Sequence, residues 1–159
     1  MLKLLALFFI VSCSLSFGPD QPKSAKNKYY QVKFSDSKWS KPKEDKSDYV
    51  FINENDGRIM LSNSFCDAFQ DRPLDQLARR TLKLVDDLDI ISEEYQTFHH
   101  REAYKTIGRG KVDGVPVSLE LLNTRRNNCY FDFVSITPLT NSNVSSVDFE
   151  AFLNSVVFK

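Results

Sequence analysis

Apolar residues recur along the chain with two periods, and the switches between them mark out its elements. Tyr49-Val50-Phe51-Ile52 and Arg58-Ile59-Met60-Leu61 flank Asn55-Asp56-Gly57. An Asp-Gly pair supplies the positive-φ positions of a tight turn, so this segment predicts a β-hairpin. The period then lengthens. Pro73 suits the first position of a helix, and Leu74, Leu77, Ala78, Thr81, Leu82, Val85 and Leu88 fall on one helical stripe, which predicts a helix running to about residue 88. Strands return at about Glu94 to His99, Ala103 to Val112, Val115 to Asn123 and Cys129 to Thr137. Asp113-Gly114 and Arg126-Asn127-Asn128 provide the turns between the last three. Val115, Val117, Leu119 and Leu121 alternate with partly polar neighbours, the signature of an antiparallel strand covered mainly on one face. A closing helix begins at Ser145 or Ser146, either able to cap it, with Phe149, Phe152, Leu153 and Val156 on one side. The order is therefore β-β-α-β-β-β-β-α, with room for a further strand in the aromatic segment from Tyr29 to Trp39. This predicts an α+β fold, an antiparallel sheet flanked by two helices.

The residues before this domain have another character. Lys3 precedes the apolar run Leu4 to Val11. Eight residues in helical form reach about 12 Å, well short of a hydrocarbon core of about 30 Å, so the run fits a secretion signal and not a spanning helix. It ends in Ile10-Val11-Ser12-Cys13, which resembles the lipobox of bacterial lipoproteins. The resemblance implies a signal peptide over residues 1–12, acylation of Cys13 and a mature chain that begins there. The alternative is an ordinary secretion signal with an incidental cysteine. Two or more acyl chains are the physical condition for stable anchoring. Ser14 in place of aspartate points to the outer membrane, facing the periplasm. Residues 13–28 lack apolar periodicity and read as a flexible tether, leaving residues 29–159 as one α+β domain.

Composition removes some functions. The 21 Lys and Arg balance the 21 Asp and Glu, so nothing suggests a global attraction to nucleic acid. Lysines at 23, 26, 28, 33, 38, 41, 43 and 46 give the N-terminal region a mild basic excess. Solubility explains it, and contact with anionic lipid headgroups is the sharper alternative. With Cys13 assigned to lipid, Cys66 and Cys129 form an even pair in an oxidising compartment. A disulfide is expected there, with two buried free thiols as the alternative.

Candidates for chemistry are sparse. His99 and His100, read as strand neighbours, would point to opposite faces and make a poor metal pair. Asp86, Asp87, Asp89, Glu93 and Glu94 gather where the first helix is expected to end. Negative charge there opposes the helix dipole, but the spacing is not that of a calcium loop. Arg125 and Arg126 read as solubilising residues of a hairpin tip. Gly108-Arg109-Gly110 lies inside a strand and not between strand and helix, so it is no phosphate loop. Asn143-Val144-Ser145 matches a glycosylation sequon, which has little meaning in a bacterium.

The element order resembles the PsbP-like fold, whose members include extrinsic photosystem subunits and many bacterial proteins of unassigned role. Asn63-Ser64-Phe65-Cys66, Pro73-Leu74-Asp75-Gln76-Leu77-Ala78, Gly108-Arg109-Gly110 with Asp113 to Val117, and Asn128-Cys129-Tyr130-Phe131-Asp132-Phe133 are similar to a set of uncharacterised lipoproteins from delta-type proteobacteria. These motifs are turns, core positions and cysteines, so they imply a fold and not an activity. The expected function is that of a non-catalytic, membrane-anchored envelope lipoprotein, with no cofactor, binding a protein or another envelope component. A small-molecule or metal carrier, or a cryptic enzyme with a pocket between helix and sheet, is the alternative.

Overall fold

The computed structural model describes residues 28–43, 46–67, 72–141 and 147–159. The expected signal, most of the tether, Cys13, the sequon and the serines expected to cap the last helix lie outside these residues. The elements are β1 (Tyr30–Val32), β2 (Tyr49–Asn53), β3 (Arg58–Cys66), α1 (Leu74–Leu82), β4 (Asp86–Phe98), β5 (Arg101–Val112), β6 (Val115–Arg126), β7 (Cys129–Pro138), α2 (Val147–Asn154) and β8 (Val156–Phe158). Six strands form one antiparallel sheet in the order β2-β3-β7-β6-β5-β4, and β1 pairs with β8 in a second, two-stranded sheet. The α+β class and the order read from the sequence hold, with β1 in the aromatic segment and β8 as an addition.

The large sheet is covered on both faces. Leu74, Leu77, Ala78 and Leu82 of α1 fill one side against Tyr104, Leu119, Leu121, Tyr130 and Val134. On the other side Phe149, Phe152 and Leu153 of α2, with Tyr30, Val32 and Val156 from the small sheet, meet Phe51, Met60, Phe131 and Phe133. Edge-to-face ring pairs knit this aromatic core, including Tyr30 with Phe131 at 5.2 Å and Phe51 with Phe152 at 5.7 Å. Because β7 carries buried side chains on both faces, it reads as a nearly continuous apolar run, whereas β6 alternates.

Three hairpins are closed by two residues, and both have positive φ: His99-His100, Asp113-Gly114 and Asn127-Asn128. This is the type I′ pattern, whose twist matches the strands. Three readings are corrected here. The histidines are turn residues, not strand neighbours. In the first hairpin only Gly57 has positive φ, since four residues, Glu54 to Gly57, span the gap from Asn53 to Arg58, and the Gly57 N–H donates to the Asn53 carbonyl at 2.8 Å. The first helix stops at Leu82 with a tight turn through Lys83 and Leu84, and Leu88 belongs to β4. Val85 and Leu88 still face the α1-side core, so their burial mimicked a continuing helical stripe.

Gly108 and Gly110 allow that change of course. A Cβ at residue 110 would stand 2.5 Å from Val85 Cγ1 and 2.7 Å from the Asp86 carbonyl, and one at 108 would stand 3.0 Å from the Asp89 carbonyl. The start of β4 therefore lies directly on β5, where only glycine leaves space.

Candidate functional site

The pairing of β3 with β7 ends at Cys66 opposite Cys129, and the two form a disulfide. At the next position the Asp67 N–H donates to the Asn128 carbonyl at 3.0 Å, so the cysteines occupy the closer, non-hydrogen-bonded site, with Cα atoms 4.0 Å apart. Both residues are buried, which makes the pair a structural staple and leaves neither sulfur as a free thiol.

Beneath α1 a row of polar residues crosses the sheet from Asn63 through Asp132, Asn123 and Tyr104 to Tyr95. Asp132 accepts hydrogen bonds from Thr81 Oγ1 of α1 and from Asn123 Nδ2. Burial drives its carboxyl up to about 6, and the hydrogen bonds from Thr81, Tyr130 and Asn123, together with Arg80, oppose that rise. On the opposite face the Tyr30 hydroxyl donates to Asp48 at 2.8 Å and lies 3.0 Å from Ser62 Oγ, while Ser64 also donates to Asp48. Burial raises the Tyr30 hydroxyl far above the ordinary phenol range. Asp132, Asn123, Tyr30 and Asp48 are buried and tie the large sheet to the layers above it, whereas Tyr95 at the end of the row is exposed.

The interface between α1 and the sheet is filled by the side chains named above. A shallow cleft of about 260 Å³ lies beside the start of α1, lined by Pro73, Leu74, Arg101, Glu102 and Arg125. This is below the 300–1,000 Å³ typical of small-molecule sites. Among the described residues no group of three or more His, Cys, Asp or Glu side chains is placed to hold a metal ion. His99 packs its ring 4.5 Å from Phe98 and 5.5 Å from Phe158. The acidic residues from 86 to 94 are not a helix end: they are spread along β4, where Asp87 pairs with Lys111 at 2.7 Å and Glu93 with Arg79 at 3.8 Å. Lys111 holds the exposed Asp87 carboxyl below its usual range. Arg125 donates to the Arg72 carbonyl, and the Arg126 guanidinium lies 5.3 Å above the Phe158 ring.

The remaining open feature is β4 itself. It is the longest strand at 13 residues, is exposed along most of its length, and forms one edge of the large sheet. Of the exposed large apolar residues, Leu84, Ile91 and Tyr95 lie on β4 or just before it. Two register shifts, between Asp86 and Asp89 and between Ile90 and Ser92, interrupt its pairing with β5. Sequence reasoning missed most of this strand. The signal was the alternation of Leu88 and Ile90 and the strand-forming Tyr95, Thr97 and Phe98, masked by the helical spacing upstream.

No family model and no curated protein matches the chain by sequence. Solved structures do match it in shape. A Mycobacterium tuberculosis protein described as LpqN involved in cell envelope biogenesis superposes with a TM-score of 0.60 at 8% identity, over 82% of this chain and 83% of that one. The cyanobacterial PsbP, CyanoP, from Synechocystis sp. PCC 6803 gives 0.60 at 11% identity, over 82% and 86%. A Bacteroides thetaiotaomicron protein gives 0.60 at 12% identity over 88% of this chain, which spans about half (49%) of that protein. At such identities the likeness fixes architecture and not activity, and the chain has the PsbP-like fold.

Proposed function

We propose that this protein is a lipid-anchored component of the bacterial cell envelope, attached through Cys13 to the outer membrane on its periplasmic side, and that its domain works without catalysis by binding a partner protein along β4. The open edge of β4 carries the reading. A row of unpaired backbone groups can take an added strand, and Asp86, Asp89 and Glu94 suit a partner segment rich in Lys or Arg. The envelope-biogenesis description of the mycobacterial protein of similar fold is in keeping with this location. Carriage of a small molecule is less well supported, because helix and sheet meet without a cavity of ligand size.

The two parts are tested separately. Mass spectrometry of the mature amino terminus should find an acylated Cys13; an unmodified Cys13, or cleavage elsewhere, rejects the anchor. A photo-crosslinking amino acid placed at Ile91 or Thr97 should trap a discrete envelope protein in living cells, while the same group at Ser37 should not. Adducts at Ser37 with none from β4 would assign binding elsewhere.

A further inference from the structure

The two edges of the large sheet are unlike. On β2 the backbone of Ser40 exchanges hydrogen bonds with Ile52 at 2.8 and 2.9 Å, so the segment before β2 blocks the middle of that edge. Among the described residues no strand pairs with the outer side of β4. The two register shifts of β4 lie before Ser92, and from Ser92 to Phe98 it pairs one for one with Ile107 to Arg101. The two-residue turn at His99-His100 fixes which backbone groups stay open. It makes Phe98 and Arg101 a hydrogen-bonded pair, so Phe98, Gln96, Glu94 and Ser92 turn their N–H and C=O groups towards β5, and those of Thr97, Tyr95 and Glu93 point outward. Side chains alternate across the strand in the same rhythm. On the α2 side Glu94 lies opposite Lys105, but Lys105 is held by Glu120 at 3.4 Å and by Glu150 at 3.3 Å, and among the described residues Glu94 has no ion-pair partner. On the α1 side Tyr95 lies opposite Tyr104 with ring centroids 4.8 Å apart, and its hydroxyl donates to Asp75 at 3.2 Å, yet it remains 53% exposed. One face of the edge thus offers an unneutralised carboxylate and the other a fixed aromatic surface.

We infer that the occupant of β4 is an extended segment of a partner protein, added antiparallel beside Glu93 to Thr97, in which Lys or Arg alternates with aliphatic residues. The inference rests on the reading of β4 as the docking edge and names what that edge selects. An antiparallel strand continues the pairing of its neighbours and puts its hydrogen-bonded residues on the Tyr95 side, so aliphatic side chains pack against that ring. The residues between them face Glu94 at the closer, non-hydrogen-bonded spacing, where a cation reaches the carboxylate. A second copy of the chain does not meet this requirement. The residues of its β4 that the same spacing can set against Glu94 are Ser92, Glu94, Gln96 and Phe98, and none is a cation.

The test titrates the isotope-labelled mature chain carrying Cys13→Ser with the peptide acetyl-Lys-Val-Lys-Val-Lys-Val-Lys-amide and follows the backbone amides by NMR. The amides of Glu93, Tyr95 and Thr97 should shift more than those of Ser92 and Gln96, because only the outward N–H groups gain a bond. Glu94→Lys should weaken this peptide about tenfold and strengthen acetyl-Glu-Val-Glu-Val-Glu-Val-Glu-amide by a similar factor, a reversal that an unfolded variant could not show. Methylating the backbone nitrogens of the three valines should abolish binding, and methylating those of the two central lysines should leave it unchanged. The inference is overturned by no shift at β4 with the lysine peptide, by indifference to Glu94→Lys, or by loss on methylating the lysine nitrogens with the valine-methylated peptide still bound. A concentration-dependent shift of the same three amides without peptide would overturn it too, and would assign the edge to a second copy. Crosslinks from Ile91 or Thr97 in cells alongside any of these outcomes would keep β4 as the docking edge and discard only this occupant. Peptide binding as described with no crosslink from β4 would instead discard the docking reading.

Discussion

At Asp132 burial and hydrogen bonding pull in opposite directions, and burial wins. The folded-state value of about 6 lies above the ordinary carboxyl value of 3.8, so the folded protein binds a proton that the unfolded chain has released. Its contribution to stability is therefore fully present below about pH 4 and is lost as the pH rises through 6. Asp132→Asn removes this titration while keeping an acceptor for Thr81. The unfolding free energy of the wild type minus that of the variant should rise by roughly 2 kcal/mol between pH 7 and pH 4, read from urea denaturation. Glu120, also raised by burial, is common to both chains and cancels. A flat difference would mean that burial does not shift the Asp132 carboxyl from its unfolded value. The sequence showed Asp132 only as part of an aromatic motif; that it is buried under Thr81 depends on where α1 lies.

Among the elements, the β4–β5 hairpin combines the longest strand with the least suitable turn. A type I′ turn needs positive φ at both central positions, which Asn-Gly accepts and His-His resists. Replacing His99→Asn and His100→Gly should stabilise the domain by about 1–2 kcal/mol, measured as a shift of the urea midpoint at constant slope. A loss would show that the contacts of His99 with Phe98 and Phe158 outweigh the backbone strain. The other two-residue turns were legible because Asp113-Gly114 and Asn127-Asn128 declare themselves in composition. This one was not, since histidine carries no turn signal, and for the same reason both residues were read as strand.

Across the whole molecule, Cys66 and Cys129 are 63 residues apart and close a loop that contains α1, β4, β5 and β6. On the chain-entropy model such a bridge stabilises by about 4 kcal/mol, so reduction, or Cys66→Ser with Cys129→Ser, should lower the unfolding free energy by up to that amount. Alkylation of the unreduced, denatured protein should leave both residues unlabelled, and labelling of both would refute the bridge. The sequence by itself determined the α+β class, the strand-rich middle, the two helices and the even parity of the leftover cysteines, because hydrophobic period, turn residues and cysteine count are local or countable quantities, and the structure showed that the pair is bonded. It also gave the lipobox-like run ending at Cys13 directly. The tertiary structure decided the end of α1 and the edge position of β4. The physical reason is that burial at Val85 and Leu88 has the same period in either element, and edge status depends on which strands pair.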